Sequence, residues 1–177
     1  MPDYAELAAR FKDVLGMQTS PVALYYSDER PPDALSFKGI GMGMCAVSLM
    51  YQAAKGKIAA IHKEAYGCPG AGRYLGFIEI DWPGFPYFLS SGIEGELEGE
   101  RYLKTPEIAK AYLERMKVRP APAEYCIFAP LDGLPNGAVP EVVIFFVPPD
   151  VLSALVVLAD FDNPRTESNT LVRFSSG

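Results

Sequence analysis

Residues 141–147 read EVVIFFV, a continuous apolar run that is rich in β-branched side chains. Runs of this kind are typical of strands whose two faces are both buried. Residues 125–129, YCIFA, form a second apolar run of strand length. We therefore predict two strands here, and we expect the strand at 141–147 to lie at the centre of a sheet.

Working outward, the N-terminal segment predicts an amphipathic helix. Asp3 has the position of a helix cap, and Gly16 is a natural stop. The apolar side chains between them recur at helical spacing and are expected on one buried face: Tyr4, Leu7, Ala8, Phe11, Val14 and Leu15.

Helices and strands alternate along the rest of the chain. Further strands are predicted at 22–26, at 58–62 in the sheet interior, and at 170–174. Further helices are predicted at 46–55 (apolar nearly all round, hence buried), at 70–77, from Thr105 to about Val118, and from Pro148 onward with Leu152, Leu155, Val156 and Ala159 inward. Residues 81–99 form either an irregular aromatic segment or a β-hairpin. The pattern indicates one domain, 1–177, of the α+β class, with a mixed sheet packed with about four to five helices.

Composition narrows the class of function. Lys and Arg number 16 against 22 Asp and Glu, which gives a net charge of −6 with the single histidine neutral. Such a chain is not expected to bind nucleic acid or anionic membranes. The N-terminus does not have the pattern of a secretory signal, the apolar runs are too short to span a bilayer, and three cysteines do not make a disulfide framework. We expect a cytoplasmic protein with free thiols.

Cys45 and Cys68 are the candidate reactive and metal-binding residues. Each lies beside glycines and at or just before a predicted helix start. The unpaired N–H groups and the dipole at a helix start favour negative charge, so both positions suit a thiolate. A thiolate binds metal, attacks an electrophile or exchanges with a disulfide. We therefore expect the two sulfur atoms to converge on one opening, although packing of two small apolar side chains is the alternative.

Neighbouring residues extend this candidate site. Gly43 and Gly70 let a bound group approach the backbone, and Arg73, in the first turns of the helix after Cys68, could hold an anion such as phosphate or carboxylate. An ordinary capping interaction at the helix N-terminus is the alternative. His62 is expected to make only local hydrogen bonds at a strand end. Cys126 lies inside an apolar strand and is expected in the core.

Several short motifs together resemble a known family. In chain order they are Leu15-Gly16, Ser20-Pro21-Val22-Ala23, Met44-Cys45-Ala46, Gly67-Cys68-Pro69-Gly70, Leu75-Gly76, Ala129-Pro130-Leu131 and Glu141-Val142-Val143, followed by Pro149 and a Leu-rich helix. The chain resembles the bacterial and archaeal family catalogued as domain of unknown function 169 (DUF169). The resemblance implies a prokaryotic cytoplasmic protein and adds weight to Cys45 and Cys68, which match the two cysteine motifs. It also implies that the family pattern continues past Gly177, so we expect the chain to be either a fragment that lacks a C-terminal portion or a short variant.

Three functions remain open at this point. The two thiols could bind a metal or an iron–sulfur cluster, which usually needs four thiolates and would then be completed across a homodimer. Alternatively, Cys45 and Cys68 act as a thiol redox enzyme or switch. The third alternative is a non-catalytic module that binds a small anionic or aromatic molecule in a pocket formed by residues 41–45, 68–73 and the aromatic segment near Trp82.

Overall fold

The computed structural model describes residues 2–41, 44–135 and 137–162. Its centre is a four-stranded sheet of β1 (Val22–Ser27), β2 (Ala59–His62), β3 (Tyr125–Pro130) and β4 (Val142–Ile144). The strands lie in the order β2-β3-β1-β4, and all three pairings are antiparallel. Helices pack around this sheet, so the predicted α+β class is confirmed.

The prediction that residues 141–147 form a central strand is wrong. β3 and β1 are the inner strands, while β4 is only three residues long and pairs with β1 at the sheet edge. Val142 is 50% exposed. The apolar run continues beyond the strand because its phenylalanines cover helices: the Phe145 ring lies 5.2 Å from that of Phe11, and the Phe146 ring 5.4 Å from that of Tyr51.

The first helix, α1 (Tyr4–Leu15), begins and ends as its sequence predicts. The Asp3 carboxylate accepts the N–H groups of Ala5 and Glu6, and Gly16 ends the helix at φ +62°. Ala8 packs with Ala23 of β1 and with Leu131, which follows β3. Val14, however, is 73% exposed, so the buried face is narrower than the apolar spacing predicts.

One face of the sheet is covered by α2 (Ala46–Ala54) and α3 (Pro69–Tyr74). Small side chains on α2 let this helix approach the sheet closely, and Leu49 fills the space between the helix and the sheet. The buried members of this main core are Val22, Leu24, Ala46, Leu49, Ala53, Ala54, Ala59, Ile61, Ala71, Leu75, Cys126 and Phe128. The outer face of α2 is exposed at Val47 and Tyr51, so the prediction of a helix buried all round is wrong.

β2 lies at the other edge of the sheet, although we predicted an interior strand. Its residues 59–61 are nevertheless buried because the loop before α2 covers them. The Leu35 N–H donates to the Ile58 carbonyl, and the Ala60 N–H donates to the Leu35 carbonyl.

The remaining elements are α4 (Phe85–Phe88), α5 (Pro106–Arg115), α6 (Pro149–Phe161) and one turn of 3-10 helix after β3 (Leu131–Gly133). The aromatic segment thus contains a short helix, and the hairpin alternative is wrong. In α6 the predicted inward face is wrong for Leu152 and Val156, which are exposed, whereas Leu155 is half-buried; of the helix residues whose burial is described, Val151 is the one that is buried. The strand predicted at 170–174 lies outside the described residues.

Candidate functional site

The two cysteine turns meet through their backbones. The segment that leads into Cys45 runs beside the segment that leads into Cys68. The Gly67 N–H donates to the Gly39 carbonyl at 3.3 Å, and the Gly41 N–H donates to the Gly67 carbonyl at 3.0 Å. The Cys68 N–H then donates to the Met44 carbonyl at 3.1 Å. These three bonds hold two chain segments together directly before α2 and α3.

The last of these bonds places Cys45 opposite Cys68. The Met44 carbonyl belongs to the peptide group that joins Met44 to Cys45. Both cysteines have extended backbones, with φ −83° and ψ 123° at Cys45 and φ −79° and ψ 155° at Cys68. With standard peptide dimensions, this one hydrogen bond keeps the Cα atoms of Cys45 and Cys68 within roughly 7.5 Å of each other.

The two thiols have different surroundings. Cys45 is exposed and is the N-cap residue of α2, but its side chain accepts no capping hydrogen bond. Its carbonyl accepts the Ser48 hydroxyl at 2.6 Å. Cys68 is half-buried against the main core and caps α3, where its Sγ accepts the Ala71 N–H at 3.4 Å. The Cys45 thiol is therefore exposed to solvent, whereas the Cys68 thiol is half-buried and hydrogen-bonded.

Gly67 is the residue that permits this close approach. Its φ of +78° is a left-handed conformation that side chains disfavour. A Cβ added there would lie 2.5 Å from the Met44 carbonyl oxygen and 2.6 Å from the Phe37 ring. Glycine at this position therefore lets the Met44 and Cys68 backbones meet.

The structure places two of the three other predicted site residues, Gly70 and Arg73. Gly43 lies outside the described residues. A Cβ on Gly70 would lie 3.9 Å from the Cys68 sulfur, which is an ordinary contact, so Gly70 is not required for close packing there. Arg73 is in the last turn of α3 and lines a cleft with Phe77 and Lys117.

The single pocket of the binding-module hypothesis is divided in the structure. Trp82, Phe85 and Tyr87 line a cavity with Glu107 and Lys110 of α5. The cleft at Arg73 is a separate one. The aromatic segment therefore faces the start of α5, whereas Arg73 faces its end. The two cavities share Leu113 in their linings and are therefore neighbours, so one pocket that joins Arg73 and the aromatic segment stays a prediction.

Cys126 is where the sequence predicts it, and His62 ends a strand as predicted but contacts a distant residue as well as a local one. His62 ends β2, where its Nδ1 accepts the Glu64 N–H at 3.2 Å and its Nε2 lies 3.4 Å from a Glu124 carboxylate oxygen. Cys126 is fully buried in β3, and burial raises the pKa of its thiol to about 12. Both residues therefore have structural surroundings.

Sequence reasoning missed Lys117 and gave Gly67 no role of its own. Lys117 follows α5 and reaches the Arg73 cleft from a part of the chain 44 positions later. No local pattern signals that approach. Gly67 had a visible signal, since it stands directly before a cysteine at a predicted turn, where a positive φ is common.

Two searches of the described ranges bear on metal and membrane. Within them, no group of three or more His, Cys, Asp or Glu side chains is placed to hold a metal ion. Among the same residues, no helix has both the length and the apolar character needed to cross a bilayer.

Comparison with known proteins identifies a family. The model of DUF169, whose description is uncharacterised ArCR, matches residues 10–176 of the 177. No curated protein and no solved structure gives a significant match. The matched region includes both cysteine turns and every strand of the sheet. The chain therefore belongs to the DUF169 family.

Proposed function

We propose that Cys45 and Cys68 form a two-thiol site that cycles between dithiol and disulfide. The observation that carries the proposal is the hydrogen bond from the Cys68 N–H to the Met44 carbonyl, which sets the two cysteines opposite each other. Disulfides need Cα atoms closer than roughly 7 Å, and this hydrogen bond supports the proposal because it brings the two cysteine backbones to about that separation.

The unequal exposure of the two thiols gives each a role. Exposed Cys45 is the group that an incoming disulfide can reach, and half-buried Cys68 is the resolving group. The Cys45 thiolate attacks one sulfur of a small disulfide, forms a mixed disulfide and releases one thiol. The Cys68 thiolate then attacks the Cys45 sulfur and releases the second thiol. The protein loses two electrons and two protons, and the small disulfide gains both.

The backbone supports such exchange on both sides. Cys45 begins α2 without a side-chain cap, so N–H groups of the first turn remain available to a negative sulfur. The Cys68 sulfur already accepts one such N–H, from Ala71. The described residues of one chain assemble fewer than three candidate ligands at one place, so the metal and iron–sulfur hypotheses both need ligands from a second chain, whereas the thiol pair does not.

The test is redox titration of the thiols. Reduced protein is equilibrated without oxygen in mixtures of reduced and oxidised glutathione, poised between roughly −320 and −180 mV. Free thiols are then alkylated with N-ethylmaleimide under denaturing conditions, and the peptides are mapped by mass spectrometry. We expect a Cys45–Cys68 link to appear within this range while Cys126 is alkylated throughout.

Matched variants sharpen the result. C126S should keep the transition, whereas C45S should abolish it and C68S should accumulate glutathione on Cys45. Absence of the Cys45–Cys68 link across the range contradicts the proposal. So does iron or zinc that anaerobically purified protein retains and C45S loses, because the thiols would then be metal ligands.

A further inference from the structure

A cleft of about 580 Å³ lies where the end of α3 faces the end of α5. Arg73 and Lys117 supply two positive charges to its lining, and Glu79 supplies one negative charge. The apolar part of the lining consists of Phe77, Ile78, Leu113, Met116, Val118 and Pro120. The cleft therefore combines cationic side chains with an apolar wall. Its volume is in the range of sites that bind small molecules.

Arg73 is the unusual group in this cleft. Its Nε is buried and has no hydrogen-bond partner. The described residues supply no ion pair to its guanidinium, although Glu79 lines the same cleft. Because this Nε has almost no accessible surface, a ligand in the cleft contacts the rest of the Arg73 side chain, whose unpaired positive charge favours an anion. The planar guanidinium fork matches a carboxylate in particular.

A backbone contact brings the segment that carries Lys117 to the same cleft as Arg73. Gly76, at φ +76°, accepts the Ala121 N–H at 2.9 Å, which ties the segment after α5 to the end of α3. A Cβ on Gly76 would overlap the Arg119 carbonyl oxygen, so the two segments touch. The Arg119 side chain is neutralised by Glu141 at 2.8 Å. Lys117, in contrast, has no ion pair with a described residue.

We propose that this cleft binds a small monocarboxylate with an apolar body, of the size of a medium-chain fatty acid. The carboxylate lies between Arg73 and Lys117, and the hydrocarbon part lies on Met116 and its apolar neighbours. A single carboxylate fits because cations exceed acids in the lining by one. This site is independent of the proposed thiol pair, which uses the opposite end of α3.

Calorimetric titration with octanoate tests the proposal, with 1-octanol as the uncharged probe and inorganic phosphate as the anion without an apolar body. We expect octanoate to bind at least about tenfold more tightly than either probe, since each lacks one half of the recognition. Equal binding of 1-octanol or of phosphate would overturn the proposal, as would no binding of octanoate.

Variants locate the site. K117M and R73Q should each weaken octanoate binding at least about tenfold, because each removes one charge-assisted contact. K110M is the matched control, since Lys110 lies on α5, in the helix that Lys117 follows, but lines the neighbouring cavity, and this variant should bind octanoate as the parent does. Should R73Q fail to fold, K117M alone tests the site, because Lys117 is exposed and its replacement should not disturb the fold. Unchanged affinity in K117M would contradict the assignment.

Discussion

Replacement of Gly67 by alanine should weaken both the fold and the proposed thiol site. Two costs add at this position. A non-glycine residue held at φ +78° costs about 1–2 kcal/mol. The new Cβ also lies 2.5 Å from the Met44 carbonyl oxygen and 2.6 Å from the Phe37 ring. Overpacking of this kind costs about 1–3 kcal/mol. G67A should therefore lower the free energy of unfolding by about 2–5 kcal/mol.

Gly16 provides the matched control. Its φ is +62°, but a Cβ there has nothing within 4 Å, so G16A carries the conformational cost alone. Urea denaturation followed by circular dichroism gives both free energies of unfolding, and their difference isolates the steric cost of the Met44–Cys68 junction. The same preparations, titrated with glutathione, should show a weaker Cys45–Cys68 link in G67A than in G16A. Equal free energies for the two variants would refute this reasoning.

Three further predictions concern the core, the attachment of α1 and the thiols. F128A should lower the free energy of unfolding by about 3–5 kcal/mol in urea denaturation, because Phe128 is fully buried on inner strand β3; a loss below 1 kcal/mol would contradict that placement. Burial raises the pKa of the Asp132 carboxyl, but hydrogen bonds from Lys12 and a buried serine outweigh burial and leave this pKa below its usual 3.8. The ionised Asp132 carboxylate therefore stabilises the folded protein fully above about pH 5, and this stabilisation is lost as the pH falls through the lowered pKa. The difference in unfolding free energy between the parent and D132N should accordingly shrink below about pH 4. A difference that grows there would refute the assignment. In native protein at pH 8, iodoacetamide should label Cys45 first and leave Cys126 unlabelled, because Cys45 is exposed and burial raises the pKa of the Cys126 thiol to about 12; equal labelling rates by mass spectrometry would contradict this order.

Local signals predicted the elements well where the cause is itself local. The ends of α1 follow from Asp3 and Gly16, and the start of α5 follows from Thr105, whose hydroxyl accepts the Ile108 N–H at 3.4 Å. Each of these signals satisfies backbone groups within one turn. No distant residue is needed, and none overrides them.

The order of the strands could not be predicted in the same way. An apolar run reports that its side chains are buried, but it does not report what buries them. In 141–147 the burial comes partly from aromatic rings on helices, as Phe145 with Phe11 and Phe146 with Tyr51 illustrate. The single apolar run 141–147 therefore contains both the edge strand β4 and the residues after it that pack against helices.

The approach of Cys45 to Cys68 lies between these two cases. Glycine beside each cysteine indicated that something comes close to the backbone, and in the structure that neighbour is the other cysteine turn. At the Arg73 cleft the corresponding residue is Gly76, which contacts Ala121, but nothing in the sequence indicates that the segment carrying Lys117 is the one that Gly76 meets. A glycine at a positive φ thus marks both places where distant segments touch. Gly67 and Gly76 are consequently the positions at which one added methyl group should disturb the thiol pair and the carboxylate cleft separately.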